Sequence, residues 1–470
     1  MRDQTFLNAK PMVFKQFIPQ KIFLFLGGFF GIIFLLVTPP FQVPDEFQHF
    51  LQAYNLSEGR FKARLIGGRG GDNLPTSLSH FDNTLNHAVA THPENKQDLK
   101  NLFIQFKRPL HPEQRQILLF PDTARYAPLV YLPQALGILP GRLLEASPPT
   151  IFYLGRLTNL LVWLVLVFIT IRLIPFFKWV IVFLVLTPMS LFQAASLSAD
   201  GLVNGIALLT IAVFLHLAFG PVAQMERRHL GLLLVLGLLL AFAKQVYVLL
   251  LGLFFLIPRT KFKDLRHWAL AGSSTFIFGG MALLAWYFLY MGLYPPEAGD
   301  GSVHFAPREQ LFFILEHPWT YSKILWATLK KWVFLWMAMF VGILGWIDTP
   351  LPRLVYYTYY PVLSAVVWGD NQPTVSMSLS SRLTALVVFM ISLLGILTSL
   401  YLTWNRLQAP IISGLQGRYL IPIAPLAVIP FYRLKSRWKT EPGIGKFTFY
   451  YLIAILSITV WTLVNRYYIG

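Results

Sequence analysis

The chain contains no cysteine, so disulfides and thiolate metal sites are excluded, though this says little about redox compartment. No glycine-rich loop ending in Lys-Ser or Lys-Thr is present, so nucleotide-driven transport has no basis. No tandem repeat of solenoid or propeller length is visible. Charge is scarce, at 13% of residues, where soluble domains carry about 25%. Acidic residues are the scarcest: 21 against 39 Lys and Arg, for a net charge of +18. In a soluble protein that excess would point to nucleic acid. In a membrane protein, basic residues collect at cytoplasmic span ends, so nucleic acid is not an expected partner.

What the sequence has is apolar surface. Hydrophobic residues make up 55% of its 470 positions, with a mean hydropathy of +0.56. The stretches Ile22–Val37, Leu157–Ile174, Gly201–Phe219, Trp268–Tyr290, Leu383–Trp404 and Phe447–Val464 reach or approach the ~20 residues that cross a bilayer. Backbone in lipid must satisfy its own hydrogen bonds, so the expected fold is all-α, a polytopic transmembrane helical bundle of about 11 to 13 spans.

Arg2, Lys10, Lys15 and Lys21 precede the first apolar run, and no small-residue cleavage site follows it. This reads as an uncleaved signal anchor with a cytoplasmic N-terminus. The organisation follows: residues 1–21 cytoplasmic, 22–38 the first span, 39–125 an extracytoplasmic loop subdomain with interfacial helices, and 126–470 a bundle with short loops. The loop subdomain holds nine of the 21 acids and five of the ten histidines. Tyr126–Leu139 is short and Pro-punctuated, and reads as re-entrant or interfacial. Leu230–Phe242 and Val246–Ile257 flank Lys244–Gln245 and are basic at both far ends, which fits a helical hairpin with Lys244 at its outer tip. The path from Lys323 to Leu383 is the least legible, because Lys330–Lys331, Trp346–Pro352 and Asp370–Ser381 interrupt it. Arg433–Lys439 marks the cytoplasm.

After the first span, Pro44 suits a helix start and Gly59 its end. Phe47, Phe50, Leu51 and Tyr54 form an apolar stripe at helical spacing, so this helix is expected to lie along the membrane surface. Asp45, His49 and Gln52 share another face, and Glu46 sits beside Asp45. The helix macrodipole favours an ionised acid at this position. Such an acid could accept a proton, or share a divalent cation with His49. An ordinary interfacial helix with acids in its first turn would look the same.

Four other stretches place polar groups at expected membrane boundaries. They are Arg125-Tyr-Ala-Pro-Leu-Val-Tyr-Leu-Pro, the segment from Thr187 through Gln193 and Asp200 to Asn204, Gly345-Trp-Ile-Asp-Thr-Pro-Leu-Pro, and Gln416-Gly-Arg-Tyr-Leu-Ile-Pro. With Pro-Asp-Glu, this ordered set resembles the bacterial multi-span membrane protein family of unknown function numbered 2142, over roughly Ile22 to Val464. That family in turn looks like the GT-C class of membrane glycosyltransferases. The resemblance implies a bacterial cytoplasmic membrane location and an extracytoplasmic active site. It also implies a polyprenyl-phosphate sugar donor and a glycan or lipid acceptor. An essential acid stands in the first outer loop of the class, which maps to Asp45 and perhaps Glu46. One departure is Phe47-Gln48, where the family usually has a small pair before the histidine.

Transfer from a lipid phosphate needs a base, a cation for the leaving phosphate and an apolar groove. Asp45 is the candidate base. Glu46 and His49 would orient it or complete a metal site, for which Mg²⁺ or Mn²⁺ fits the donor types. No cofactor is required by the sequence. Arg418 is the first candidate for the phosphate, since Gly417 allows close backbone approach. Arg125 and Lys244 follow, and Tyr419 and Gln193 are further substrate contacts. Asp200 either contacts substrate or caps the helix beginning near Gly201. Asp348 reads as a turn residue and His216 as a packed, hydrogen-bonded histidine. A lipid-linked-sugar flippase, or a surface-glycan polymerase or ligase component, is the competing function.

Overall fold

A free backbone N–H or C=O in hydrocarbon is costly, so apolar runs close on themselves as helices. The computed structural model describes residues 18–469 other than 86–88, 91, 292–305, 373–374 and 433–441. The basic markers Arg2, Lys10, Lys15 and Arg433–Lys439 lie outside these. Helix α1 (Pro19–Val37) leads into a loop subdomain of α2 (Glu46–Ser57), β1 (Arg64–Ile66), β2 (Arg69–Pro75), α3 (Thr76–Leu85), α4 (Leu99–Gln105), β3 (Arg115–Leu119) and α5 (Pro121–Ala124). Next come α6 (Leu132–Leu143), α7 (Pro148–Leu173), α8 (Lys178–Val185), α9 (Pro188–Ala194), α10 (Asp200–Phe219) and α11 (Arg227–Ala243). A 3-10 helix, Gln245–Leu256, precedes α12 (Leu265–Trp286), α13 (Pro307–Glu316), α14 (Pro318–Gly342) and the strand pair β4 (Ile343–Leu344) and β5 (Thr349–Pro350). The chain ends with α15 (Arg353–Gly369), α16 (Leu379–Thr403), a broken segment around α17 (Ala424–Val428), and α18 (Pro442–Tyr467).

Among the described residues, seven helices are long and apolar enough to cross a membrane: α1, α7, α10, α12, α14, α16 and α18. Shorter segments also pass between the two ends of the bundle. Lys244 meets Asp200 at the end carrying the loop subdomain, while Lys261 donates to Leu217 O at the opposite end. Helix α11 and Gln245–Leu256 therefore form the hairpin expected around Lys244. Twelve residues would rise only ~18 Å as an α-helix. Drawn out as a 3-10 helix they rise ~24 Å, which explains a run longer than such helices usually reach. Helices α8 and α9 together make another pass, broken before Pro188, and the segment Gly417–Phe431 makes one more. Among the described residues, eleven segments then run from one end of the bundle to the other: α1, α7, α8 with α9, α10, α11, Gln245–Leu256, α12, α15, α16, Gly417–Phe431 and α18.

Helix α14 is not among them. Near its start, Tyr321 pairs with Thr398 in the last turns of α16. Near its end, Gly417 packs on the backbone of Trp336–Phe340. Both contacts are at the loop-subdomain end, so α14 lies across that end. Lys330 and Lys331, both exposed, are thereby kept from the hydrocarbon centre, where a charge costs ~3 kcal/mol or more.

Two features of the loop subdomain depart from expectation. It contains a three-stranded antiparallel sheet in the order β1-β2-β3, with Gly67 and Gly68 at positive φ in the two-residue turn between β1 and β2, as such hairpins require. And α2 does not lie on a surface. Nearly all of it is buried, packed between α6, α5 and β2, so its apolar stripe is core. The strands are stapled by Arg115 on Glu58 at 2.7 Å and Arg60 on Asp72 at 2.8 Å.

Candidate functional site

The turn after α1 is fixed by one buried ion pair. Glu46 Oε1 accepts from Arg156 Nε at 2.8 Å and from Leu197 N at 3.0 Å. Its Oε2 accepts from Arg156 Nη2 at 2.6 Å and from Phe41 N at 3.0 Å. Arg156 also donates to Leu35 O, Thr38 O and Pro39 O at the end of α1. Both side chains are fully buried. All four acceptor positions of Glu46 are occupied, so it has none left for substrate or metal. The expected role of Glu46 beside the base is therefore replaced by an anchoring role. Arg156 was missed from sequence. Its signal was an arginine inside a long apolar helix, which calls for a partner.

The anchor presents the neighbouring acid in the other direction. Asp45 has φ 62 and ψ 11, the left-handed region, and makes no capping hydrogen bond. Its carboxyl is raised above the ordinary range, chiefly by burial, while Arg418 pulls it down and Asp122 and Asp200 push it up. Placement at a helix start does not settle its charge as expected, because desolvation outweighs the dipole. One turn on, His49 Nδ1 lies 2.8 Å from Tyr131 Oη. Burial drives its pKa down to about 3, against the opposing pull of Asp200, so its imidazole is neutral near pH 7 and serves as a hydrogen-bonding group.

Asp200 stands at the first position of α10, but the N-cap is Ala199, so the capping alternative falls. Its carboxylate instead lies between two cations, Lys244 Nζ at 3.3 Å and Arg418 Nε at 3.5 Å. Lys244 also sits over the Tyr419 ring, 4.1 Å from the centroid. Tyr419 is held in turn by Tyr247, whose hydroxyl donates to its carbonyl at 2.8 Å. Arg418 reaches this position because Gly417 packs directly on the backbone of α14, where any Cβ would clash with Phe340 N and Trp336 O. The close approach expected of Gly417 is thus to a neighbouring helix. Asp45, His49, Asp200, Lys244, Arg418 and Tyr419, read from separate motifs, converge on one site, and Tyr126 and Tyr131 complete its wall.

A cavity of about 260 Å³ opens beside this cluster. Its lining mixes the polar Asp122, Arg125, Tyr126, Lys244, Gln245, Tyr247, Ser399, Thr403 and Tyr419 with the apolar Val246, Trp286, Ile396 and Leu400. Arg125 points here with its Nε buried and unpartnered, and its nearest acid, Asp122, is 4.0 Å away. Gln193 lies on the other side of Arg418, in a narrow cleft with Pro44 and Ile347, its Oε1 buried without a partner. Asp348 sits at the turn between β4 and β5, as read, and also binds Arg466 at 2.8 Å. His216 is hydrogen-bonded to Leu173 O.

Among the described residues, no three His, Asp or Glu gather to hold a metal. Arg418 acts on both Asp45 and His49, and Lys244 acts on His49 as well. That donor set does not fit the Asp45–His49 divalent site considered from the sequence, since the ion would sit against like charge. The arrangement suits an anion beside an apolar chain, with a carboxylate poised nearby.

A family model described as predicted membrane protein (DUF2142) matches residues 26–427, and the chain belongs to that family. No curated protein and no solved structure matches it.

Proposed function

We propose that this member of the family is a membrane glycosyltransferase that moves a sugar from a polyprenyl-phosphate donor to a hydroxyl of a glycan or lipid acceptor. The observation that carries the reading is the convergence of Lys244 and Arg418 with Asp45 at one end of the bundle, beside a cavity lined by both cationic and apolar side chains. In the reaction, the acceptor oxygen bonds to the anomeric carbon while the carbon–oxygen bond to phosphate breaks. Asp45 takes the hydroxyl proton. The phosphate leaves with the bonding electron pair, and Lys244 and Arg418 stabilise its charge. Neutral His49, held by Tyr131, hydrogen-bonds within the same site. The apolar lining takes the first part of the lipid chain.

The site end is proposed to be extracytoplasmic. Arg172, Lys178, Arg227, Arg228, Arg259, Lys261, Lys263 and Arg266 all lie at the opposite end, in keeping with the positive-inside rule. The test is transfer of labelled sugar from a polyprenyl-phosphate sugar by purified protein. Asp45→Asn should lower turnover by roughly 10²–10⁴-fold, the usual worth of a general base, without changing the melting temperature. Equal turnover in both would remove Asp45 from the mechanism. Passage of the donor across a proteoliposome membrane without transfer would replace the enzyme by a flippase.

A further inference from the structure

Two buried carboxylates of this protein are held in contrasting ways. Glu46 has four donors at 2.6 to 3.0 Å. Asp200 has two cations at 3.3 and 3.5 Å, beyond the ~2.7–2.9 Å of a tight charge-assisted hydrogen bond. Arg418 Nε makes no hydrogen bond although it is buried. Arg125 Nε, in the adjoining cavity, is likewise buried and unpartnered. The site thus has more N–H donors than its own acids satisfy, and the pairs that exist are loose.

We propose that Asp200 is an internal stand-in for phosphate. It neutralises Lys244 and Arg418 until a lipid phosphate arrives, yields both to the incoming oxygens, and takes them back when the phosphate leaves. This rests on the reading of Lys244 and Arg418 as the phosphate site, and adds to it a competitor built into the fold. The physical need is clear. Two buried cations without a counter-ion are strongly unfavourable, so a bare phosphate site would be unstable as well as slow to release. A carboxylate offers two oxygens at fixed separation. A phosphate offers three, with more charge, and Arg125 lines the same cavity as Lys244. Exchange therefore favours the ligand, but by less than its full interaction with two free cations.

The opposite expectation follows from a purely structural Asp200, whose loss would disorder Lys244 and Arg418 and weaken binding. The discriminating measurement is calorimetric titration of the full chain in detergent with geranylgeranyl monophosphate, alongside geranylgeraniol and inorganic phosphate. Asp200→Asn is expected to bind the lipid phosphate about tenfold more tightly than wild type, and to release it more slowly, as removal of a competing charged hydrogen bond requires. Asp200→Ser, which also removes the charge but keeps a small polar side chain, should behave alike. Tightening for inorganic phosphate as well supports the exchange and makes free phosphate an equal source of the ligand. Tightening for geranylgeraniol overturns it, since no anion is then involved. Binding equal to or weaker than wild type overturns it too. So does failure of both variants to fold, because a pair the fold needs is not free to exchange. If wild type binds no phosphate at all, the phosphate site itself is wrong. If wild type binds and neither variant is tighter, only the stand-in role falls.

Discussion

The sharpest separation of roles falls between adjacent residues, and Glu46→Gln tests it. Glutamine preserves shape but converts one acceptor oxygen into a donor facing Arg156. Of the four hydrogen bonds at Glu46, two come from Arg156 at 2.8 and 2.6 Å. Arg156 is fully buried and would keep its charge with only carbonyls around it. Removing one partner of such a pair costs about 3–5 kcal/mol, mostly through the charge left behind. The thirteen tryptophans, with Trp163 buried in the same helix as Arg156, make intrinsic fluorescence a direct readout of melting in detergent. Glu46→Gln should melt several degrees below wild type. The double variant Glu46→Leu with Arg156→Met should recover most of that loss, because an apolar replacement of a whole buried pair is often neutral. Asp45→Asn should melt with wild type. If Glu46→Gln melted with wild type yet lost transfer, the anchoring role would be refuted and Glu46 would return to the chemistry.

Other outcomes follow from the same geometry. His49 titrates at about 3 in the fold against an ordinary 6.5, so the unfolded chain binds a proton that the fold refuses. Stability is then lost as pH falls below 6.5, by about 2 kcal/mol at pH 5; His49→Gln should flatten this decline in melting curves at pH 5 and 7, and an unchanged slope would contradict the neutral, buried assignment. Gly417→Val should displace Arg418 by forcing the chain off α14, where backbone atoms block any Cβ; loss of lipid-phosphate binding with a modest drop in melting temperature is expected, and normal binding would show that the close approach is dispensable. Because the chain has no cysteine, Lys330→Cys creates a single thiol; a membrane-impermeant maleimide should label it from the same side as Glu94→Cys, and labelling from the other side, or none, would put α14 through the bilayer.

Much of the bundle was legible because helices such as α1, α7, α10, α12, α16 and α18 are long apolar runs, and the hairpin at Lys244 because both its far ends are basic. The sheet was not. Strand β1 has three residues, and β2 reads Arg-Gly-Gly-Asp-Asn-Leu-Pro, a composition depleted in strand formers; pairing with β3, some forty residues on, makes it a strand. The burial of α2 was illegible for another reason. A stripe of Phe47, Phe50, Leu51 and Tyr54 is identical for a helix facing lipid headgroups and one facing protein. Only the wrapping of α5, α6 and β2 distinguishes them.

The site was partly legible because its polar residues sit where helices break. Asp200 follows the gap after α9, Lys244 joins α11 to the 3-10 helix, Arg418 opens the broken segment Gly417–Phe431, and Asp45 precedes α2 in the left-handed region. In membrane proteins, interrupted helices are tolerated where they line a cavity rather than lipid, so polar motifs at apolar boundaries are a usable signal. The division of labour inside Pro-Asp-Glu was not usable in that way. Asp45 and Glu46 share a charge, a neighbourhood and a helix start. What separates them is Arg156, 110 positions away in the chain, which saturates one carboxylate and leaves the other to face Arg418. Spacing alone carries no information about which neighbour a distant arginine will choose, so the assignment of base and anchor belongs to tertiary structure.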